Sequence, residues 1–233
     1  MNALLVDLDD TLLDYSGGVS ESWQQACEAV CRPRGVDAGA AVEAIARTRR
    51  WFWDDPDRHR RERTNMLRAW TQIAVHGLAE LGVTDQALAG RIAEAYAERR
   101  WARMALFPGV LDALAVLRDR GVPLALVTNG DVRQQRRKIE QHDLARFFDV
   151  IVFEGEFGCG KPDEKVYRHA LAGLGARPDA AWMIGDHLEF DVLAPQRLGL
   201  RGVWVDAEGV GLPPSATGSP HRIVRAFCDL VGG

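Results

Sequence analysis

The chain has 233 residues, 47% of them apolar, with 29 Lys and Arg against 33 Asp and Glu for a net charge of −4. That balance leaves no basic footprint for a nucleic-acid partner, and no apolar run approaches the ~20 residues of a membrane span. Cys27, Cys31, Cys159 and Cys228 form no Cys-x-x-Cys pair, so neither a disulfide framework nor a zinc site follows; with no secretory signal in view, the expectation is a soluble, cytoplasmic protein.

The first element lies in "LLVDLDDTLLD", residues 4–14. Its aliphatics predict a buried strand at 3–8, yet Asp7 and Asp9 interrupt it and Asp10 crowds its end. Residues i and i+2 of an extended chain point the same way, so Asp7 and Asp9 share a direction if strand geometry continues. Residues 19 to about 105 show helical spacing and no strand texture. Trp23, Ala26, Cys27, Val30 and Cys31 make one stripe, behind a Ser20 cap. Met66, Trp70, Ile73, Ala74, Gly77, Leu78 and Leu81 make a second, ended by Gly82. Leu88, Ile92, Ala95 and Tyr96 make a third after Thr84. "FPGV" at 107–110 breaks the helical run.

Beyond it, helices near 110–120, 131–142, 163–174 and 189–198 alternate with aliphatic runs. The runs are "VPLALVT" at 122–128, "DVIVF" at 149–153, "AAWMIG" at 180–185 and "RGVWV" at 201–205. Non-alternating apolar strands separated by helices predict a parallel sheet covered on both faces. "GVGLPPSATGSP" at 209–220 reads as a loop before a short closing segment. The predicted fold class is α/β: a Rossmann-like parallel-sheet core from residues 1–15 and 106–233, with an all-helical domain, 16–105, inserted after the first strand.

Ligands of open parallel sheets bind outside the carboxyl ends of the strands. After the first strand come Asp7 and Asp9, and after "LALV" come Thr128 and Asn129. The loop beyond "DVIVF" leads to Lys161, and "WMI" is followed by Gly185, Asp186 and then Asp191. Carboxylates converging on one point repel each other, and burying them is costly without compensation. A hard cation supplies it, and Mg2+, with its preference for oxygen ligands and phosphate, is the expected cofactor. Acid cluster, lysine and hydroxyl together make a constellation for handling a phosphoryl group.

"DLDDTLLD", "LVTNG", "GKPD" and "GDHLEFD" resemble, in order, the four motifs of the haloacid dehalogenase-like hydrolase superfamily. The resemblance runs from residue 3 to about 205, and the helical insertion is similar to that superfamily's C1-type cap. "WFWDDPDRHRRERTNML" at 51–67 is similar to the branch containing N-acylneuraminate-9-phosphatase and related nucleotidases. The resemblance implies that Asp7 is the nucleophile that takes the phosphoryl group, and that Asp9 is acid for the leaving alcohol and then base for water. It implies that Thr128 and Asn129 hold phosphoryl oxygens and that Lys161 steadies the nucleophile. Asp186, Asp7 and the Asp9 carbonyl would ligate magnesium, with Asp191 supporting them. Asp9, which the dehalogenases lack, points to phosphate chemistry. The implied activity is hydrolysis of a small phosphorylated metabolite, a sugar phosphate or nucleoside monophosphate, by a monomer or homodimer. A phosphomutase keeps the same acid pair and stays open, as does a non-catalytic regulator that binds a phosphorylated ligand.

Some residues read more plainly. The basic run Arg58–Arg63, with Arg47, Arg49 and Arg50 nearby, is expected to be a solvated helix face. Trp23, Trp51 and Trp53 are expected mostly to pack, and His187 to be structural.

Overall fold

Six parallel strands form one sheet in the computed structural model, which describes residues 2–232. They are β1 (Ala3–Val6), β2 (Leu124–Thr128), β3 (Val150–Phe153), β4 (Ala181–Gly185), β5 (Arg201–Val205) and β6 (Arg222–Val224). Their order is β3-β2-β1-β4-β5-β6. Leu4 pairs with Leu124 on one side of β1 and with Trp182 on the other. The chain builds outward from β1 to β3, then crosses back and builds the other way from β4. The crevice between β1 and β4 is therefore the topological switch point, where sheets of this kind place their ligands.

The central strand is buried along its whole length, as the unbroken run "ALLV" requires. Ala3 and Leu5 pack with Val166, Tyr167, Ala170 and Leu171 of α9 (Glu164–Gly173). Leu4 and Val6 point to the opposite face and are equally buried. On the same chain lie α6 (Val110–Asp119), α7 (Val132–Gln141), the short α8 (Glu154–Phe157) and α10 (Ala194–Arg197). A π-helical turn, Leu188–Leu193, precedes α10.

Contacts divide the chain into two units: residues up to Tyr15 together with those from Ala105 onward, and Ser16–Met104. Ala105 goes with the sheet rather than with the helical segment where the sequence placed it. Its carbonyl accepts from the Asp14 N–H at 2.9 Å, and Phe107 N–H donates to Leu12 at 3.0 Å. The outgoing and returning segments thus run side by side, bridged antiparallel at Leu13 and Leu106.

The second unit is five helices: α1 (Val19–Cys31), α2 (Ala38–Asp54), α3 (Pro56–Glu62), α4 (Met66–Ala79) and α5 (Gln86–Arg103). Its core gathers Trp23, Cys27, Ile45, Phe52, Trp70, Ile73, Leu88, Ile92 and Tyr96. Trp23 stacks on Tyr96 at 4.0 Å and Trp70 meets the same ring edge-on at 5.0 Å, pairs that add about 1 kcal/mol each beyond their buried area. A Cβ at Gly77 would fall 2.8 Å from Ile45 Cγ1, so the close approach of α2 and α4 needs glycine there. Asp37, Asp55, Asn65 and Asp85 cap α2, α3, α4 and α5, each accepting backbone N–H groups.

Several local expectations change. Gly18 in the left-handed region, not Ser20, begins α1. Leu81 lies past the end of α4 and is exposed. Trp51 is 53% exposed instead of packed, with the Arg58 guanidinium 4.1 Å above its ring. Within the basic run, Glu62 is buried and paired with Arg61 and Arg68, so that stretch is not a uniformly solvated face. Among the described residues, no helix is long and apolar enough to cross a membrane.

Candidate active site

β1 ends at Val6 and delivers Asp7 at the switch point, with Asp7 N–H donating to Ile184 O at 3.0 Å. The chain then turns, and Asp10 takes a positive φ of 59°. Because β1 ends at Val6, strand geometry does not carry on through Asp9, and the two carboxylates take different partners. Asp7 Oδ1 accepts from Lys161 Nζ at 2.6 Å and its Oδ2 accepts from Thr11 Oγ1 at 3.1 Å. The Asp9 carboxylate instead takes Lys138 Nζ at 2.7 Å on both oxygens and Gln135 Nε2 at 3.0 Å.

β4 delivers Gly185 and Asp186 on the other side of the crevice. The π-helical turn folds Asp191 back beneath them. Its Oδ1 accepts from Lys161 Nζ at 2.6 Å and its Oδ2 from the His187 N–H at 3.0 Å. A Cβ at position 185 would lie 2.3 Å from Asp191 Cγ, so glycine makes the room that Asp191 occupies. His187 is structural: its Nδ1 accepts from Phe190 N–H at 3.2 Å and caps the turn.

β2 delivers Thr128 and Asn129. Both polar atoms of the Asn129 side chain are engaged by Lys161: Nδ2 donates to its carbonyl and Oδ1 accepts from its N–H, each at 2.8 Å. That side chain holds the lysine loop. Thr128 Oγ1 accepts from Gln135 Nε2 at 2.6 Å. The buried Glu154 carboxylate accepts from Gly130 N–H at 2.8 Å and fixes the same loop from α8.

Electrostatics follow from this crowding. Burial pushes the Asp7 carboxyl up to about 6 against the pull of Lys161, and Asp191 adds to the rise. Burial alone would lower Lys161, but Asp191 and Asp7 hold it above its ordinary value, so it stays an ammonium. Asp186 is pushed up to about 8, by burial first and then by Asp7, Asp191 and Asp10. Among the described residues, no N–H or side chain donates to the Asp186 carboxylate, whose backbone alone bonds to Thr11 and Trp204. Oxygens of Asp7, Asp186 and Asp191 lie within 4.8 Å of one another. An uncompensated carboxylate beside two others is a hard-oxygen donor set, and a divalent cation such as magnesium fits it. Asp191's carboxylate, expected only to support the site, belongs to that trio.

Sequence reasoning assigned no role to Thr11, Gln135, Lys138 or Glu154. Thr11 carried a signal, as the threonine of Asp-x-Asp-x-Thr; it bridges Asp7 and the Asp186 N–H, at 3.1 Å to each. Gln135 and Lys138 sit in a helix rich in polar residues, whose sequence does not mark the inward face.

The haloacid dehalogenase-like hydrolase family matches residues 1–199 of this chain. A phosphoserine phosphatase of Thermus thermophilus is 34% identical over 88% of this chain and 89% of its own length. The N-acylneuraminate-9-phosphatase of Rattus norvegicus is 34% identical over 64% of this chain and 60% of its own. A phosphatase of the same family from Thermococcus onnurineus superposes with a TM-score of 0.68 over 99% and 96% of the two chains, at 22% identity. That superposition shows a shared fold.

Proposed function

This chain belongs to the haloacid dehalogenase-like hydrolase family, and from that premise we propose a magnesium-dependent phosphatase that hydrolyses a small phosphorylated metabolite through an aspartyl-phosphate on Asp7. As a phosphoric monoester hydrolase it resembles enzymes named for phosphoserine and for N-acylneuraminate 9-phosphate, and the substrate class follows theirs. One observation carries the reading: Lys161 Nζ lies 2.6 Å from both Asp7 and Asp191, at the switch point, with the Asp186 carboxyl within 4.8 Å of theirs. A nucleophilic carboxylate needs a fixed direction and a neighbouring positive charge for the phosphoryl group it receives. The lysine gives both.

The chemistry then runs in two displacements. Asp7 attacks phosphorus, the ester P–O bond breaks, and Asp9 gives a proton to the leaving oxygen. Water attacks the aspartyl-phosphate, its proton goes to Asp9, and the P–O bond to Asp7 breaks to release phosphate. Thr11 holds Asp7 Oδ2, and Asn129 holds the Lys161 backbone. Asp7, Asp186 and Asp191 would hold the magnesium ion, which when bound offsets the negative charge of the phosphate oxygens.

Hydrolysis of p-nitrophenyl phosphate tests the reading. Turnover is expected with magnesium, loss of at least about 100-fold in excess chelator, and recovery when magnesium is restored. Full activity in chelator would remove the metal from the account.

A further inference from the structure

Helix α7 reads "VRQQRRKIEQ" and has almost no apolar face to bury. Its inward side is Gln135, Lys138 and Ile139, which are 2%, 1% and 3% exposed. Burying an ammonium and an amide is costly unless each finds partners, and the partners here belong to the site. Lys138 Nζ reaches both Asp9 oxygens at 2.7 Å and sits 4.1 Å from the centroid of the Tyr15 ring. One helical turn away, Gln135 Nε2 reaches Asp9 Oδ2 at 3.0 Å, Thr128 Oγ1 at 2.6 Å and the Asn129 carbonyl at 3.1 Å. A single face of α7 thus joins Asp9 to the end of β2. Both Asp9 oxygens act as acceptors.

We propose that Lys138 and Gln135 are positioning residues that aim the Asp9 carboxylate as the base for hydrolysis of the aspartyl-phosphate. The inference rests on the two-displacement reading above. In the step concerned, a water oxygen forms a bond to phosphorus and passes its proton to Asp9. The P–O bond to Asp7 breaks with its electron pair returning to the carboxylate. A free aspartate side chain turns about two bonds, whereas one gripped at both oxygens from a packed helix keeps its direction.

The two displacements separate with p-nitrophenyl phosphate, whose leaving group departs as a stable anion and needs no proton donor. Its kcat/KM reports the first displacement, and kcat falls when the second becomes slow. In Lys138→Met, kcat should fall at least about tenfold while kcat/KM stays within about threefold of wild type. Rapid mixing should then show a burst approaching one p-nitrophenolate per enzyme. Gln135→Leu should show the same split to a smaller degree, and Lys138→Arg should recover much of the lost kcat. A folded Lys138→Met enzyme with unchanged kcat would overturn the proposal. So would kcat and kcat/KM falling together without a burst, or failure of both Lys138→Met and Gln135→Leu to fold in a thermal melt. An active Asp7→Asn enzyme would instead overturn the aspartyl-phosphate reading beneath it, so the two failures are told apart.

Discussion

Lys161 answers for two carboxylates at once, Asp7 and Asp191, and among the described residues no donor reaches the third, Asp186, whose charge Lys161 only partly offsets. Removing one partner of a buried ion pair strands the other at a cost of about 3–5 kcal/mol, which is why the lysine sits between two acids and is itself held through its backbone by Asn129. Among the described residues the Asp186 carboxylate has no ion-pair partner, and burial with its acidic neighbours pushes the carboxyl up to about 8. A carboxyl raised in the folded state binds protons there that the unfolded chain has already released. Metal-free protein should therefore lose stability as pH rises from the ordinary value near 3.8 through about 8. Asp186→Asn removes that penalty. In chelator at pH 8 it should melt higher than wild type by roughly 2–4 °C, the equivalent of about 1 kcal/mol at this chain length. The advantage should shrink toward pH 4 and reverse in magnesium, which stabilises only a protein that binds it. Thermal melts at the two pH values, with and without magnesium, decide; an Asp186→Asn protein that melts lower in chelator at pH 8 would contradict the account.

Among the elements, the sheet is braced at the end opposite the site by Asp149. Its carboxylate accepts from the Leu124 N–H at 2.9 Å, where β2 begins, and takes Arg118 Nη1 of α6 at 2.8 Å on both oxygens. Partial burial pushes this carboxyl up, but the Leu124 N–H and Arg118 outweigh it and hold it below its ordinary value. The stabilisation is present above the unfolded value and fades as pH falls through the lower folded one. Asp149→Asn should cost about 1 kcal/mol at pH 7, since the pair is partly solvated, and much less near pH 3. Equal losses at both pH values would show that charge is not involved. Elements were legible where burial left a continuous apolar record. β5 occupies Arg201–Val205, the run read from the sequence, and β1, β2, β3 and β4 lie inside theirs. β6 left no such record: it has three residues and only Val224 is buried. α7 hid its role for a related reason. With Val132 and Ile139 as its apolar residues, nothing in the pattern said that Gln135 and Lys138 face inward. The different partners of Asp7 and Asp9 were hidden because the apolar run suggested a strand through Leu8, whereas β1 ends at Val6, before both acids.

Across the molecule, one topological fact organises the site. The chain reverses its direction of building at β1, so the ends of β1 and β4 form the crevice and the end of β2 flanks it. That arrangement brings Asp7, Thr128, Asn129, Lys161, Asp186 and Asp191 together from stretches far apart in sequence, and they were legible because they come at the ends of four aliphatic runs. Side-chain direction was not legible at that level, and it is what divides Asp9 on Lys138 from Asp7 on Lys161. The helical unit branches off where the two connecting segments are hydrogen-bonded side by side, at Asp14 and Ala105, so an insertion of this size leaves the sheet's register untouched. The account's central claim is that Asp7 carries the phosphoryl group. Its most direct test is acid quenching during turnover of p-nitrophenyl phosphate with magnesium, followed by mass spectrometry of the peptides. One phosphoryl group should appear on the peptide containing Asp7 in wild type, and none should appear in Asp7→Asn, whose turnover should fall by at least about a thousandfold. A phosphoryl group on another residue, or near-normal turnover by Asp7→Asn, would contradict it.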